Sequence, residues 1–175
     1  MPSKLFSKER SVYWPAEFEP LFNFLKMPVA DALGEEANKP GGVFDLNAHL
    51  MVFAALVGVS ESNVRDLGKD KKEVPLSVFV GNEIEHYLYL VPMLSNQGVS
   101  VEIMKDEQGE DRAIKIFEQY AAGGCEILEA KRVELYLNSP DIFIVNLLKS
   151  YGLAWKSLDK PAPLGASSVG IRLFE

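Results

Sequence analysis

Between Phe44 and Val59 the chain reads FDLNAHLMVFAALVGV, and this stretch constrains the fold more than any other. Asp45 is a suitable N-cap for a helix over Leu46–Val57, and Gly58 can close it in the left-handed conformation. Leu46, Leu50, Phe53 and Val57 would share one face, while Met51, Val52 and Leu56 make the rest nearly as apolar. A helix that is greasy all round must lie inside the fold, so this segment is expected to be the central element. Its unbroken apolar run, Leu50–Val59, is about half the ~20 residues that a membrane-spanning helix needs.

The flanking sequence supplies the partners for such a helix. Residues 1–15 read as a polar arm anchored by Tyr13, Trp14 and Pro15, ahead of one helical domain over 16–175. Glu17–Met27 places Phe18, Leu21, Phe22 and Leu25 at helical spacing, and the Lys39–Gly42 segment is a loop. Glu61–Glu73 is a charged loop in which Arg65, Lys69, Lys71 and Lys72 are matched by Glu61, Asp66, Asp70 and Glu73. It is neutral overall, which argues against a phosphate site. Leu76–Val80 is either a short strand or the lead-in to a helix through Asn82–Gln97, which Pro92 would kink or end early.

Gly98 stops that segment, and Val99, Val101 and Ile103 alternate as a strand would, before a turn at Asp106–Asp111. Ala113, Ile116, Phe117, Tyr120 and Ala121 then form the cleanest amphipathic helix pattern in the chain. Gly123-Gly124 is expected to end it, with a further helix over Cys125–Leu137. Ser139-Pro140-Asp141 is a strong start for the next, Ile142–Ser150, which ends near Gly152. In the tail, Val169, Ile171 and Leu173 alternate after a break at Pro161–Pro163. The expected architecture is mainly α, a bundle of about six helices with a small peripheral β element, with Phe53 and Phe117 in its core.

Charge and cysteine content narrow the function classes. The net charge of −7, from 18 basic and 25 acidic residues, argues against intrinsic affinity for nucleic acid or anionic membrane. A small basic surplus sits after residue 141, in Lys149, Lys156, Lys160 and Arg172 against Asp159 and Glu175. The lone cysteine, Cys125, fits a reducing cytoplasm, and MPSKLFSKER lacks the apolar core of a signal peptide.

No catalytic, cofactor-binding or metal-binding set emerges from the residues. Cys125 follows two glycines at an expected helix N-terminus, where the dipole would lower its pKa, but no local signature pairs it with His49 or His86. Glu83 and His86 have the Glu-x-x-His spacing of carboxylate di-metal bundles, in one copy where two are required. Helix–glycines–helix–turn–helix over the last 65 or so residues resembles a winged helix. Its inserted helix would have to be IFIVNLLKS, which is too apolar, or one bearing Glu126, Glu129 and Glu134 beside Lys131 and Arg132.

A family resemblance is sharper than these chemical signals. Phe44, Met51, Phe53, Ala54, Ala55 and Gly58, and then Phe117, Glu118, Tyr120, Ala121, Gly123 and Gly124, resemble two motifs of a bacterial family. It is the Dnd-system-associated protein 4 family, encoded with DNA phosphorothioation and other phage-defence genes. The resemblance covers roughly residues 40–150. It implies an accessory role in defence against foreign DNA, through contacts with other proteins of the system; with no catalytic set and a net charge of −7, the chain reads as a non-enzymatic protein that touches DNA only indirectly or weakly. A DNA-associated regulator using the winged-helix-like C-terminal region is the alternative, and a Cys125-dependent enzyme a third reading.

Overall fold

One helix of 29 residues, α5 (Glu107–Leu135), is the axis around which the rest is arranged. The structure, a computed structural model, describes residues 10–26, 42–95, 97, 99–101, 107–135 and 139–152. The chain opens with β1 (Ser11–Pro15), a 3-10 turn (Ala16–Phe18) and α1 (Glu19–Leu25). Next come α2 (Asn47–Ser60), β2 (Lys71–Pro75), α3 (Leu76–Gly81) and α4 (Tyr87–Leu94), and α5 is followed by α6 (Pro140–Ser150). The fold is mostly helical, with six α-helices and one two-stranded antiparallel sheet among the described residues.

Helix α2 lies against α5, and the two approach closely enough for backbone to meet backbone. A Cβ placed at Gly124 would collide with the carbonyl oxygen of Ala54, and one at Gly58 with that of Tyr120. Only hydrogen fits at these points, which is the condition for Cα–H···O contact across a helix pair. This explains two departures from the sequence expectation. Gly58 does not cap α2, which runs on to Ser60; and Gly123-Gly124 does not end a helix, because α5 continues through both. The glycines are there for their small size at a crossing. The helical stretch beginning at Cys125 is therefore the second half of α5.

As expected, α2 is central: Leu50, Met51, Ala54, Ala55 and Val57 are buried on different sides of it. Its N-cap is Leu46, one residue beyond Asp45, with no side-chain cap bond. Phe117 is fully buried and meets Phe79 edge-on at 6.1 Å. Phe53 is half-buried, tilted against Phe44 at 5.3 Å. Phe18, Leu21, Phe22 and Leu25 are all buried, and Trp14 stacks on Phe22 at 3.8 Å.

The sheet is where sequence patterning was least informative. The last residues of the expected arm form β1, and KKEVP, whose first three residues were read as the end of a charged loop, forms β2, with Val12 opposite Val74 and Tyr13 opposite Glu73. Further on, the Leu76–Val80 segment forms a helix of its own, and of the helix expected through Asn82–Gln97 the described residues show only Tyr87–Leu94. Helix α3 ends at Gly81, Glu83 takes a left-handed φ of 58°, and α4 starts only at Tyr87. Pro92 lies inside α4, which stops two residues later. Val99 and Val101 are not in a strand, and Ile103 lies outside the described residues, as do residues 1–9 and the tail with Val169, Ile171 and Leu173. Of the turn expected at Asp106–Asp111, Asp106 lies outside the described residues and Glu107–Asp111 instead begins α5, where Glu107 and Glu110 meet the positive end of the helix dipole. The start of α6 is as expected, with Ser139 as N-cap, Pro140 in the first turn and Asp141 beside it.

Among the described residues no helix is long and apolar enough to cross a membrane.

Candidate binding groove beside helix α5

The face of α5 that turns away from α2 carries charge, and two segments are fastened to it. The first is β1. Pleating sends Val12 and Trp14 into the core and leaves Tyr13 half-buried between the strand and α5. The Tyr13 N–H donates to Glu118 Oε1 at 2.8 Å, so a carboxylate on α5 satisfies a strand donor. Just before the strand, Arg10 binds Glu110 and Asp111 at 3.1 Å each and Glu107 at 3.4 Å. That clamp ties the start of β1 to the first turns of α5.

The second segment is the loop between α2 and β2. Asn63 Nδ2 donates to the Gly123 carbonyl at 3.0 Å and to Glu126 Oε2 at 3.1 Å, and Arg65 N–H donates to the Gln119 carbonyl at 3.1 Å. A side chain at Gly123 would collide with the Asn63 backbone, so the same glycine pair that admits α2 admits this loop. The Arg65 guanidinium bridges Glu17 at 2.6 Å and Glu126 at 3.4 Å above the Phe18 ring. Lys72 pairs with Glu19. These cations of the "neutral loop" are therefore engaged with carboxylates.

Between β1, the loop and α5 lies a groove of about 670 Å³. Its walls bring together Arg10 and Tyr13, Asp66 and Gly68, Lys71, and from α5 Asp111, Lys115, Glu118 and Gln119. Gln119 Nε2 donates to Asp66 Oδ1 at 2.9 Å, and Lys71 Nζ sits 4.2 Å from the centre of the Tyr13 ring. Burial pushes the Glu118 carboxyl up to about 7, and the Tyr13 N–H and the charge of Lys71 only partly oppose that rise. Glu118 is thus a carboxylate short of compensation, on the wall of an open groove.

The residues singled out for chemistry in the sequence are not brought to this groove. Cys125 lies in the interior of α5, fully buried, and burial drives its thiol pKa far up. The helix N-terminus that would have activated it does not exist. Glu83 sits in a left-handed turn and His86 caps α4, its ring against Tyr87 at 4.3 Å, so the two do not share a helix face. His49 is half-buried on α2. Among the described residues no group of three His, Cys, Asp or Glu is placed to hold a metal ion. The winged-helix pattern also lapses, because its first two helices are one.

Comparison with known proteins adds one positive finding. The sequence matches the DNA sulphur modification system-associated protein 4 family over residues 29–149. The chain belongs to that family. No curated protein and no solved structure matches it. The matched span contains α2, the loop and α5, but stops short of Arg10 and β1, which form one wall of the groove.

Within this family member, the residues that carried the resemblance have identifiable structural jobs. Gly58 and Gly124 are the close approaches of α2 and α5, the carbonyls they face belong to Tyr120 and Ala54, and the Phe44 and Phe117 rings pack on Phe53 and Phe79. Glu118 is the one carboxylate among them, and it lines the groove. Sequence reasoning missed Glu118, Lys71, Tyr13 and Arg10 as a group. The one available signal was the polar pair Glu118-Gln119 set between the apolar residues of IFEQYA.

Proposed function

We propose that this chain is a non-enzymatic accessory protein of a bacterial DNA-phosphorothioation or phage-defence system, acting through contacts with other proteins of that system in the cytoplasm. Membership of the DNA sulphur modification system-associated protein 4 family carries the reading. The use of the motif residues supports it: glycines, alanines and aromatics joining α2 to α5 build a scaffold. Direct engagement of DNA is disfavoured by charge. Affinity for duplex scales with the phosphates a protein neutralises. Here the net charge is −7, and Arg10, Arg65, Lys72 and Arg132 are each paired with a carboxylate.

Two measurements test this together: titration of labelled duplex at about 150 mM salt, and a pull-down from native cells. Duplex binding no tighter than high-micromolar, with a protein of the same system recovered, is the expected outcome. Sub-micromolar binding by the purified chain with no protein partner recovered would overturn it in favour of a DNA-associated regulator.

A further inference from the structure

We propose that the outer edge of β2 is a self-association surface, where two copies of this chain join their sheets antiparallel about a two-fold axis at Lys72.

The two-stranded sheet has one closed edge and one open edge. Leu76 N–H donates to the Arg10 carbonyl at 2.8 Å, and Ala16 N–H donates to the Asp70 carbonyl at 3.0 Å. With Val12 opposite Val74 and Trp14 opposite Lys72, even-numbered residues turn their backbone groups toward the other strand and odd-numbered ones turn theirs outward. On β1 the outward N–H of Tyr13 is taken by Glu118, so α5 closes that edge. On β2 the outward N–H and C=O groups belong to Lys71 and Glu73. Both residues are exposed, and among the described residues no backbone group pairs with them. An edge of this kind is a template for a further strand.

The side chains select which strand it accepts. Lys71 and Glu73 stand on the same face of β2 and carry opposite charges. Three antiparallel registers centred on these residues bring the outward groups of two copies together. One sets Lys71 against Lys71 and another Glu73 against Glu73, so both oppose like charges, and the second also needs an N–H that Pro75 lacks. The third sets Lys71 of each copy against Glu73 of the other. Its two symmetric pairs join opposite charges, and four N–H···O bonds satisfy every outward backbone group of the two residues. Lys72 then faces its own copy on the core side of the sheet, where it is paired with Glu19 and lies 5.9 Å from the centre of the Trp14 ring. A strand contact this short buries less than the ~1,200 Å² of a standard interface, so the dimer should form and dissociate with concentration.

Sedimentation velocity of the full chain, from about 10 μM to about 1 mM, tests this. The wild type should pass from monomer toward dimer across that range, with concentration-dependent amide shifts at Lys71 and Glu73. Glu73→Lys places a lysine opposite Lys71 at both pairs and should weaken association about tenfold, and Lys71→Glu should do the same. An equimolar mixture of the two variants should recover the dimer, because each carries the charges that the other lacks. Lys71 also lies over the Tyr13 ring of its own chain. If Lys71→Glu therefore fails to show a cooperative thermal transition, the amide shifts and Glu73→Lys decide alone. A wild-type chain that stays monomeric throughout, association unchanged in Glu73→Lys, or two folded variants that do not associate when mixed would each overturn the proposal.

Discussion

Helix α5 has two faces that obey different physics. On the side toward α2 the contact is dry and close: Gly58, Ala54, Tyr120 and Gly124 bring two backbones together with no room for another atom. On the side toward β1 and the loop the contact is polar, carried by the side chains of Arg10, Asn63 and Glu118 and by the backbone N–H and guanidinium of Arg65. Phe117, fully buried, and Glu118, lining the groove, are consecutive residues. The lesson is a division of labour along one helix. The dry face specifies the fold, and the wet face retains an under-compensated charge that folding alone does not require.

Substitutions should separate the two faces. The largest effect is expected at Gly124→Val, where a branched side chain meets the Ala54 carbonyl: no cooperative thermal transition should remain, since backbone cannot yield as a side-chain tip can. Phe117→Ala should cost about 3–5 kcal/mol in urea denaturation, and Phe53→Ala, at a half-buried site, roughly half as much. On the wet face the sign reverses. The Glu118 carboxyl rises from the usual 4.5 to about 7 on folding, so the native state holds its proton more tightly than the unfolded chain. Its contribution to stability is most favourable below pH 4.5 and declines as pH rises through 7. Glu118→Gln, which keeps an acceptor for Tyr13, should therefore stabilise the protein at pH 8 by up to about 3 kcal/mol, with the gain vanishing below about pH 4.5. Destabilisation at pH 8 would mean that the wet face is as structural as the dry one. The smallest effect is expected at Cys125→Ala, about 1 kcal/mol, with the wild-type thiol inert to aqueous thiol reagents until the protein unfolds.

Much of the dry face could be read from the sequence. An apolar run with polar residues only at its start announced α2 as central, and helical spacing marked Ala113–Ala121 as a core face. The errors came where one local signal has two meanings. A glycine pair after an amphipathic stretch is either a C-terminal cap or a close approach, and only the partner, here Ala54 and Asn63, decides which. KKEVP has one inward residue, Val74, and three exposed charged ones, so nothing local distinguishes it from a loop; pairing with β1 makes it a strand. The groove was hidden for a related reason. Its walls come from residues 10–13, 66–71 and 111–119, which no spacing rule connects.

Residue-resolved hydrogen exchange under native conditions tests the division between the faces most directly. Amides from Tyr120 to Cys125 and from Ala54 to Gly58 should exchange only through global unfolding, and those of Leu67 and Gly68 through local opening. Fast exchange at Gly123, Gly124 and Cys125, as at a helix end, would contradict an unbroken α5 and with it the crossing on which the fold rests.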